Sequence, residues 1–517
     1  MLERGALSSR LRSPLLALAA AGVACSSSSS SDSVSPVTAE SSASTPPLLT
    51  SLAVTSLTLS PPFSATTHDY VMPCQPGANP MTLTTGAVSG ATVNVITPTT
   101  TVASTGHAIS MTLAEDDPVI VQASEGSVTQ SYWLRCLPHD FPAFTFADHP
   151  DQGARTPGYY LLGNVFPVTG ESGFAMILDN SGTPVWYRRV STTAGVMNID
   201  WQPNGTLSYV PTLGDYGSDP TASYTEQRFD PWTTTSVQAS GGPIDEHELH
   251  MLPNGDVMVF SYVITSGVDL TGLGSYGPNE NVADCTAEEL DPTGALVWSW
   301  KASDHIDPVK ETTKNGVNVN TVNGVNVVDV YHFNSIDQDA SGNVLISSRA
   351  TSAVFYIDKP SGKILWKMGG TIYGKDGEQI LTFANDPEGG IDSQHDARFQ
   401  ANGDVSVFDD HTNLGGKARG IEYAIDTTAG TASMVWQYEN TTWSEAMGSF
   451  RRYADGSNLI SWGLAPDTFV DVTEVNDSGK ALLDITYAHD QESTYRAVKV
   501  PTDTFDLAEL RATAGHP

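Results

Sequence analysis

The sequence predicts an all-β fold, and three features carry the prediction. Composition is the first: 45 glycines, 31 prolines and only 16% charged residues in 517 positions suit a turn-rich β protein better than a helical one. A run of short strands separated by turn residues near the N-terminus is the second. The third is an internal repeat of about 50 residues with alternating strands and no helical pattern, the signature of propeller blades. Together they predict a six-bladed β-propeller preceded by a small β-sandwich.

The chain opens on "MLERGALSSRLRSPLLALAAAGVAC", where Arg4, Arg10 and Arg12 precede a short apolar run and small residues. Residues 1–24 therefore read as a secretory signal and are set apart from the fold. The run is too short for a permanent membrane helix. "GVAC" resembles a bacterial lipoprotein cleavage site, with Cys25 as the lipidated residue, although Gly22 stands where Leu is usual. The Ser-rich residues 25–50 read as a disordered tether. An exported protein follows, lipid-anchored in the bacterial cell envelope at the periplasmic face or the cell surface, with membrane contact only through the anchor.

Residues 51–138 hold seven short strand-like runs, from "SLTLSP" and "HDYVM" to "PVIVQAS" and "QSYWLRC". That number in so short a span predicts a β-sandwich. Cys74 in "YVMPC" and Cys136 in "YWLRC" follow a Tyr at the same offset. In an oxidising compartment they are expected to form a disulfide, worth roughly 4 kcal/mol by loop entropy. Cys285 has no evident mate and reads as a buried thiol. The module resembles the cadherin-like sandwiches of bacterial surface proteins, carries no cluster of reactive residues, and reads as a spacer.

Residues 139–517 contain the repeat. One unit is an acidic turn followed by a strand that usually carries Trp: "LDNSGTPVWYRR", "LDPTGALVWSWK", "IDKPSGKILWKMGG" and "IDTTAGTASMVWQYEN". Weaker copies are "VNDSGKALLDITY" and "FDPWTTTSVQ", which brings the outer strands to six. The Trp side chains are expected to pack between blades. A second unit is a turn entering an apolar strand, with its glycine at 205, 255, 342, 403 and 456, so the steps are 50, 87, 61 and 53. The step of 87 contains an insertion, including "NGVNVNTVNGVNVVDV", expected as a hairpin or lid at one mouth.

Equivalent positions can now be compared. His247 and His395 each stand eight residues before the turn glycine, and His332 stands ten before in a repeat whose turn is longer. The strand before such a turn lies nearest the channel, so three successive blades would aim a histidine into one funnel. Met197 and Gly448 occupy the place in the flanking repeats, so the blade itself does not require histidine. Asn334 lies two residues from His332, on the same strand face, and Arg349 ends the next strand. His250, on the opposite face, and His411 read as structural.

A net charge of −34 excludes a nucleic-acid partner. It also repels small anions at long range, but such a field fades over about 8 Å at physiological salt. A local cationic cluster can still capture one. Three imidazoles suit zinc, yet the permanent charge of Arg349 opposes a dication, and no metal is expected. A neutral imidazole is a nucleophile near neutral pH, and cationic neighbours keep it unprotonated. The set suits capture of an anion and transfer of a charged group.

At these residues the sequence resembles the bacterial arylsulfate sulfotransferases. "GYYLLGN", "MILDNSGTPVWY", "HELHMLPNGD", "YHFNSIDQDASGNVLISSR", "ILWKMGG", "QHDARFQANGDVSVFDD" and "ARGIEYAID" carry the resemblance over roughly residues 140–500. It implies an exported six-bladed propeller that moves a sulfuryl group from a phenolic sulfate ester to a phenol. The transfer runs through a transient sulfohistidine, in a ping-pong cycle without the nucleotide sulfate donor PAPS or any cofactor. By motif His395 would be the nucleophile, His332 the general acid/base, Asn334 and Arg349 the sulfate ligands, and His247 the completion of the oxyanion pocket. The alternatives are an anchored propeller that binds an anionic or phenolic ligand without turnover, and a His-rich metal-binding propeller.

Overall fold

The computed structural model describes residues 46–98, 108–212, 219, 221–313, 318–322, 324–439, 443–465, 470–489 and 492–515. Cys25 and the signal segment lie outside these residues. The described chain is almost entirely strand, with two short helices, Ala302–His305 and Leu507–Thr513.

The sandwich forms from period-two patterning. In Pro118–Glu125 and Asn79–Ala87 every second side chain is buried, which is what a strand with one face on a core requires. One sheet runs Leu49–Thr55, Asn79–Ala87, Ala108–Leu113; the other runs Asp69–Pro73, Val128–Leu137, Pro118–Glu125, Thr92–Thr97. Met81, Leu83, Val93, Val119, Val121 and Leu134 fill the space between them. The first strand lies one segment earlier than expected. "SLTLSP" makes only an isolated bridge, Ser60 to Val71, because Pro61 and Pro62 have no N–H to offer a ladder. Cys74 and Cys136 are joined, with Cα atoms 5.5 Å apart.

Six four-stranded meanders form the propeller. Blades 2 to 5 start at the axis with Val196–Gln202, Ile244–Met251, Phe333–Gln338 and His395–Phe399, and end outside with Thr233–Val237, Leu296–Lys301, Lys363–Gly369 and Thr431–Glu439. The ring is closed from both chain ends. Val498–Pro501 is the inner strand of blade 1, beside Gly158–Gly163, while Phe144–Asp148 adds a fifth strand outside Ala481–Tyr487 of blade 6. All six acidic-turn repeats sit at or beside the outer strands. Strand Gln379–Ala384 pairs in parallel with the outer strands of blades 4 and 5 and stitches them together.

The insertion in blade 3 is a hairpin, Asn318–Val322 with Val325–Asp329, joined to the long strand Glu280–Leu290 through a parallel pairing of Val282 with Val328. The sandwich is more than a spacer. Arg511 of the C-terminal helix pairs with Asp69, Arg135 donates to the carbonyl of Ala514, and Tyr187 of blade 1 donates to Asp116 at 2.6 Å. The sandwich therefore grips the segment that closes the ring.

Candidate active site

Inner strands of blades 2 to 5 share a local irregularity. Ladder register slips between Met197 and Asp200, Ile244 and Leu249, Phe333 and Ser335, and His395 and Arg398. Bulges of this kind re-aim side chains, and here they turn two successive residues toward the axis. His247, inside one such slip, meets His332 and His395, which stand at the entrances to theirs: the first two rings are 4.9 Å apart by centroid, and His332 and His395 are 6.4 Å apart. Tyr495, entering blade 1, stands 5.7 Å from His247 and 6.4 Å from His395. Its hydroxyl lies 3.2 Å from the carbonyl of His247 and 3.1 Å from that of Asn334.

Each imidazole is held at Nδ1 by a carboxylate. Asp245 lies 2.7 Å from His247, Asp329 2.6 Å from His332, and Asp410 2.8 Å from His395. Where that carboxylate is ionised it only accepts, which puts the proton of His247 and His332 on Nδ1 and leaves Nε2 as the remaining ring nitrogen. In His395 that Nε2 is buried and has no hydrogen-bond partner. Sequence reasoning missed these carboxylates. Two had a signal, an Asp two residues before His247 and three before His332; Asp410, fifteen residues after His395, had none.

Arg349 follows the second strand of blade 4. Its Nη2 donates to the carbonyl of Glu445 at 2.8 Å, and its Nε is buried without a partner. Asn334 donates to the carbonyl of Gln394 at 2.8 Å. All five residues expected to line the funnel are thus buried around one place. His250 faces Asp337 at 3.6 Å, and His411 faces Asp409 at 3.4 Å.

The three imidazoles differ in proton affinity although each has a carboxylate. Burial lowers the affinity of His247 for a proton, but Asp245, Glu246 and Asp329 together hold its pKa above the ordinary value. Burial also lowers His332, and with His247 and Arg349 beside it Asp329 does not restore it. His395 is pushed well below the ordinary range by burial and then by Arg349, His332, His247 and Arg496. His247 thus holds a proton more readily than an ordinary histidine, and His332 and His395 less readily. Burial pushes Asp410 well up, against the opposite pull of Arg349 beside it.

Deeper along the same strands the channel is filled by ion pairs. Glu248 meets Arg398 and, at 2.8 Å, Arg496; Asp396 lies 3.3 Å from Arg496 and 3.0 Å from Arg451; Arg496 also donates to Asn198. The arginines hold Glu248 down at about 2 against the desolvation that would raise it. This plug floors the histidine pocket. Among the described residues no group of three His, Cys, Asp or Glu side chains is placed to hold a metal ion.

Fold and site together define a propeller whose channel is filled by ion pairs beside a buried cluster of three histidines and an arginine. The chain belongs to the arylsulfotransferase (ASST) family, whose model matches residues 215–488, more than half of its length. It is a transferase of that type, with a sulfate donor and a phenolic compound as small-molecule partners. No curated protein matches it. Solved structures with a similar chain path include a protein of unknown function from Bacteroides caccae, 13% identical, covering 67% of this chain and 99% of its own at a TM-score of 0.40. Another, from Lactobacillus plantarum, is 11% identical and covers 67% of this chain and 100% of its own at a TM-score of 0.34. Likenesses this loose carry no argument about the site.

Proposed function

We propose that the protein moves a sulfuryl group from an aryl sulfate ester to a phenol, without PAPS, through a sulfated His395. The observation that carries this reading is the buried, unpartnered Nε2 of His395, with Asp410 behind it and Arg349 beside it, in a chain of this family. In the first half, Nε2 attacks sulfur and the sulfur–aryl oxygen bond breaks. The electron pair leaves on the aryl oxygen, which draws a proton from the His332–His247 pair. Asp410 balances the imidazolium formed on His395. In the second half, neutral His332 takes the proton of the incoming phenol, whose oxygen attacks sulfur. The N–S electrons then return to Nε2. Arg349 and Asn334 bind the sulfuryl oxygens throughout, where fixed positive charge among buried groups is worth most, and the His332–His247 pair regains from the incoming phenol the proton it gave to the departing one.

The reaction is placed in the cell envelope, with the protein tethered through a lipidated Cys25. The test uses 4-nitrophenyl sulfate as donor. Phenol-stimulated release of nitrophenol, with a gain of one SO3 on the peptide holding His395, is the expected result. It disappears in His395→Ala. Tight binding of the donor with neither release nor mass gain would replace this reading with a binding propeller.

A further inference from the structure

The blade 3 insertion ends in Asp329, and that residue does more than terminate a strand. Its side chain is fully buried. Oδ1 accepts the backbone N–H of His332 at 3.0 Å, while Oδ2 takes the ring Nδ1–H at 2.6 Å. His332 has a φ of 49°, a strained left-handed conformation that a non-glycine residue keeps only where its surroundings hold it there. The two-pronged carboxylate imposes it. The carbonyl of His332 in turn accepts the backbone N–H of Arg349 at 2.8 Å, so the same frame sets the base of that side chain.

The hairpin is firmly seated. Val327, Val328, Val330 and Tyr331 are buried in the core of blades 3 and 4 with Phe333, and Thr312 donates to the carbonyl of Val330 at 2.9 Å. Asp245 grips His247 in the same way, by backbone N–H at 2.9 Å and ring at 2.7 Å, but it comes from the inner strand itself. Asp329 is the carboxylate supplied by the insertion.

We infer that Asp329 is a positioning residue for the transfer, and that the hairpin carrying it is an arm of the active site rather than a lid over it. This rests on the reading of His332 as the proton acceptor for the incoming phenol. Asp329 touches no substrate. It fixes the proton of His332 on Nδ1 and so keeps Nε2 as the base.

The experiment compares wild type, Asp329→Asn and Asp329→Glu by steady-state transfer from 4-nitrophenyl sulfate to phenol. Ring nitrogens are read by ¹⁵N NMR of histidine-labelled protein, with His332 assigned through His332→Gln. Wild-type His332 is expected to hold its proton on Nδ1. In Asp329→Asn that preference is lost, and kcat falls about 10–100-fold, the range typical when an orienting partner of a functional imidazole is removed, with KM nearly unchanged; Asp329→Glu recovers part of the loss. An Nε2–H tautomer in the wild type would overturn the inference, a result that needs no variant to fold. So would Asp329→Asn with unchanged kcat and unchanged ring shifts. A wild type without transfer activity but with the Nδ1–H tautomer would overturn the proposed reaction and leave the positioning geometry standing.

Discussion

At the residue scale the pocket is governed by which imidazole keeps a proton. His395 lies below the ordinary histidine value of 6.5 because burial and Arg349 both disfavour its cation. A lowered histidine stays neutral as pH falls until its own lower pKa is reached. The single-turnover rate of His395 sulfation is therefore expected to show its acid limb only below about 6.5, the ordinary value, with any alkaline limb set by the proton-donating His332–His247 pair. Quenched-flow measurement across pH checks this, and an acid limb above 6.5 would contradict the assigned state. Arg349→Ala removes the first-named charge acting on His395. It should cut kcat/KM for the donor by about 10²–10³, the usual cost of losing one charge-stabilising donor, without changing the fold.

At the element scale the propeller uses one slot around the ring for different ends. Met197, His247, His332, His395 and Gly448 are its occupants in successive blades. Gly448 has a φ of 96°, and a Cβ there would lie 2.4 Å from Phe408 and 2.8 Å from the carbonyl of Ser461. Its N–H donates to the carbonyl of Tyr495 at 3.1 Å. Blade 6 thus needs a residue without a side chain where blades 3 to 5 place histidine. Gly448→Ala is expected to lower stability by about 2–3 kcal/mol, from strain and overpacking combined. Chemical denaturation measures this; a loss below 1 kcal/mol would show that Phe408 moves aside freely.

At the scale of the whole molecule, stability depends on pH through two opposed groups. Glu248 has a folded pKa of about 2 against an ordinary 4.5, so its stabilisation is complete above 4.5 and is lost as pH falls toward 2. Asp471 and Glu492 run the other way. Burial lifts them to about 7 and about 8, so the folded state holds protons that the unfolded chain releases. The stability of that protonated form is lost as pH rises from the ordinary carboxylate range through those values. Self-repulsion at a net charge of −34 adds to the alkaline loss. Thermal unfolding should therefore show maximal stability near pH 4, falling on both sides. A maximum at pH 8 would mean that Asp471 and Glu492 ionise without cost.

The sequence by itself determined the blade count, because each blade writes the same turn and the same alternation into the chain. It also offered the three histidines as neighbours, since a shared offset from a turn glycine carries into three dimensions. Cys74 and Cys136 were legible for the same reason. Only the folded ring sets the proton affinities, because those depend on contacts the chain order does not show: Asp410 reaches His395 from the next strand of blade 5, and Arg349 lowers it from blade 4. The floor of ion pairs was equally illegible, being assembled from Asn198, Glu248, Asp396, Arg398, Arg451 and Arg496, which share no spacing. Repetition along a chain specifies a frame, whereas the proton on an imidazole answers to whatever the closed ring brings beside it.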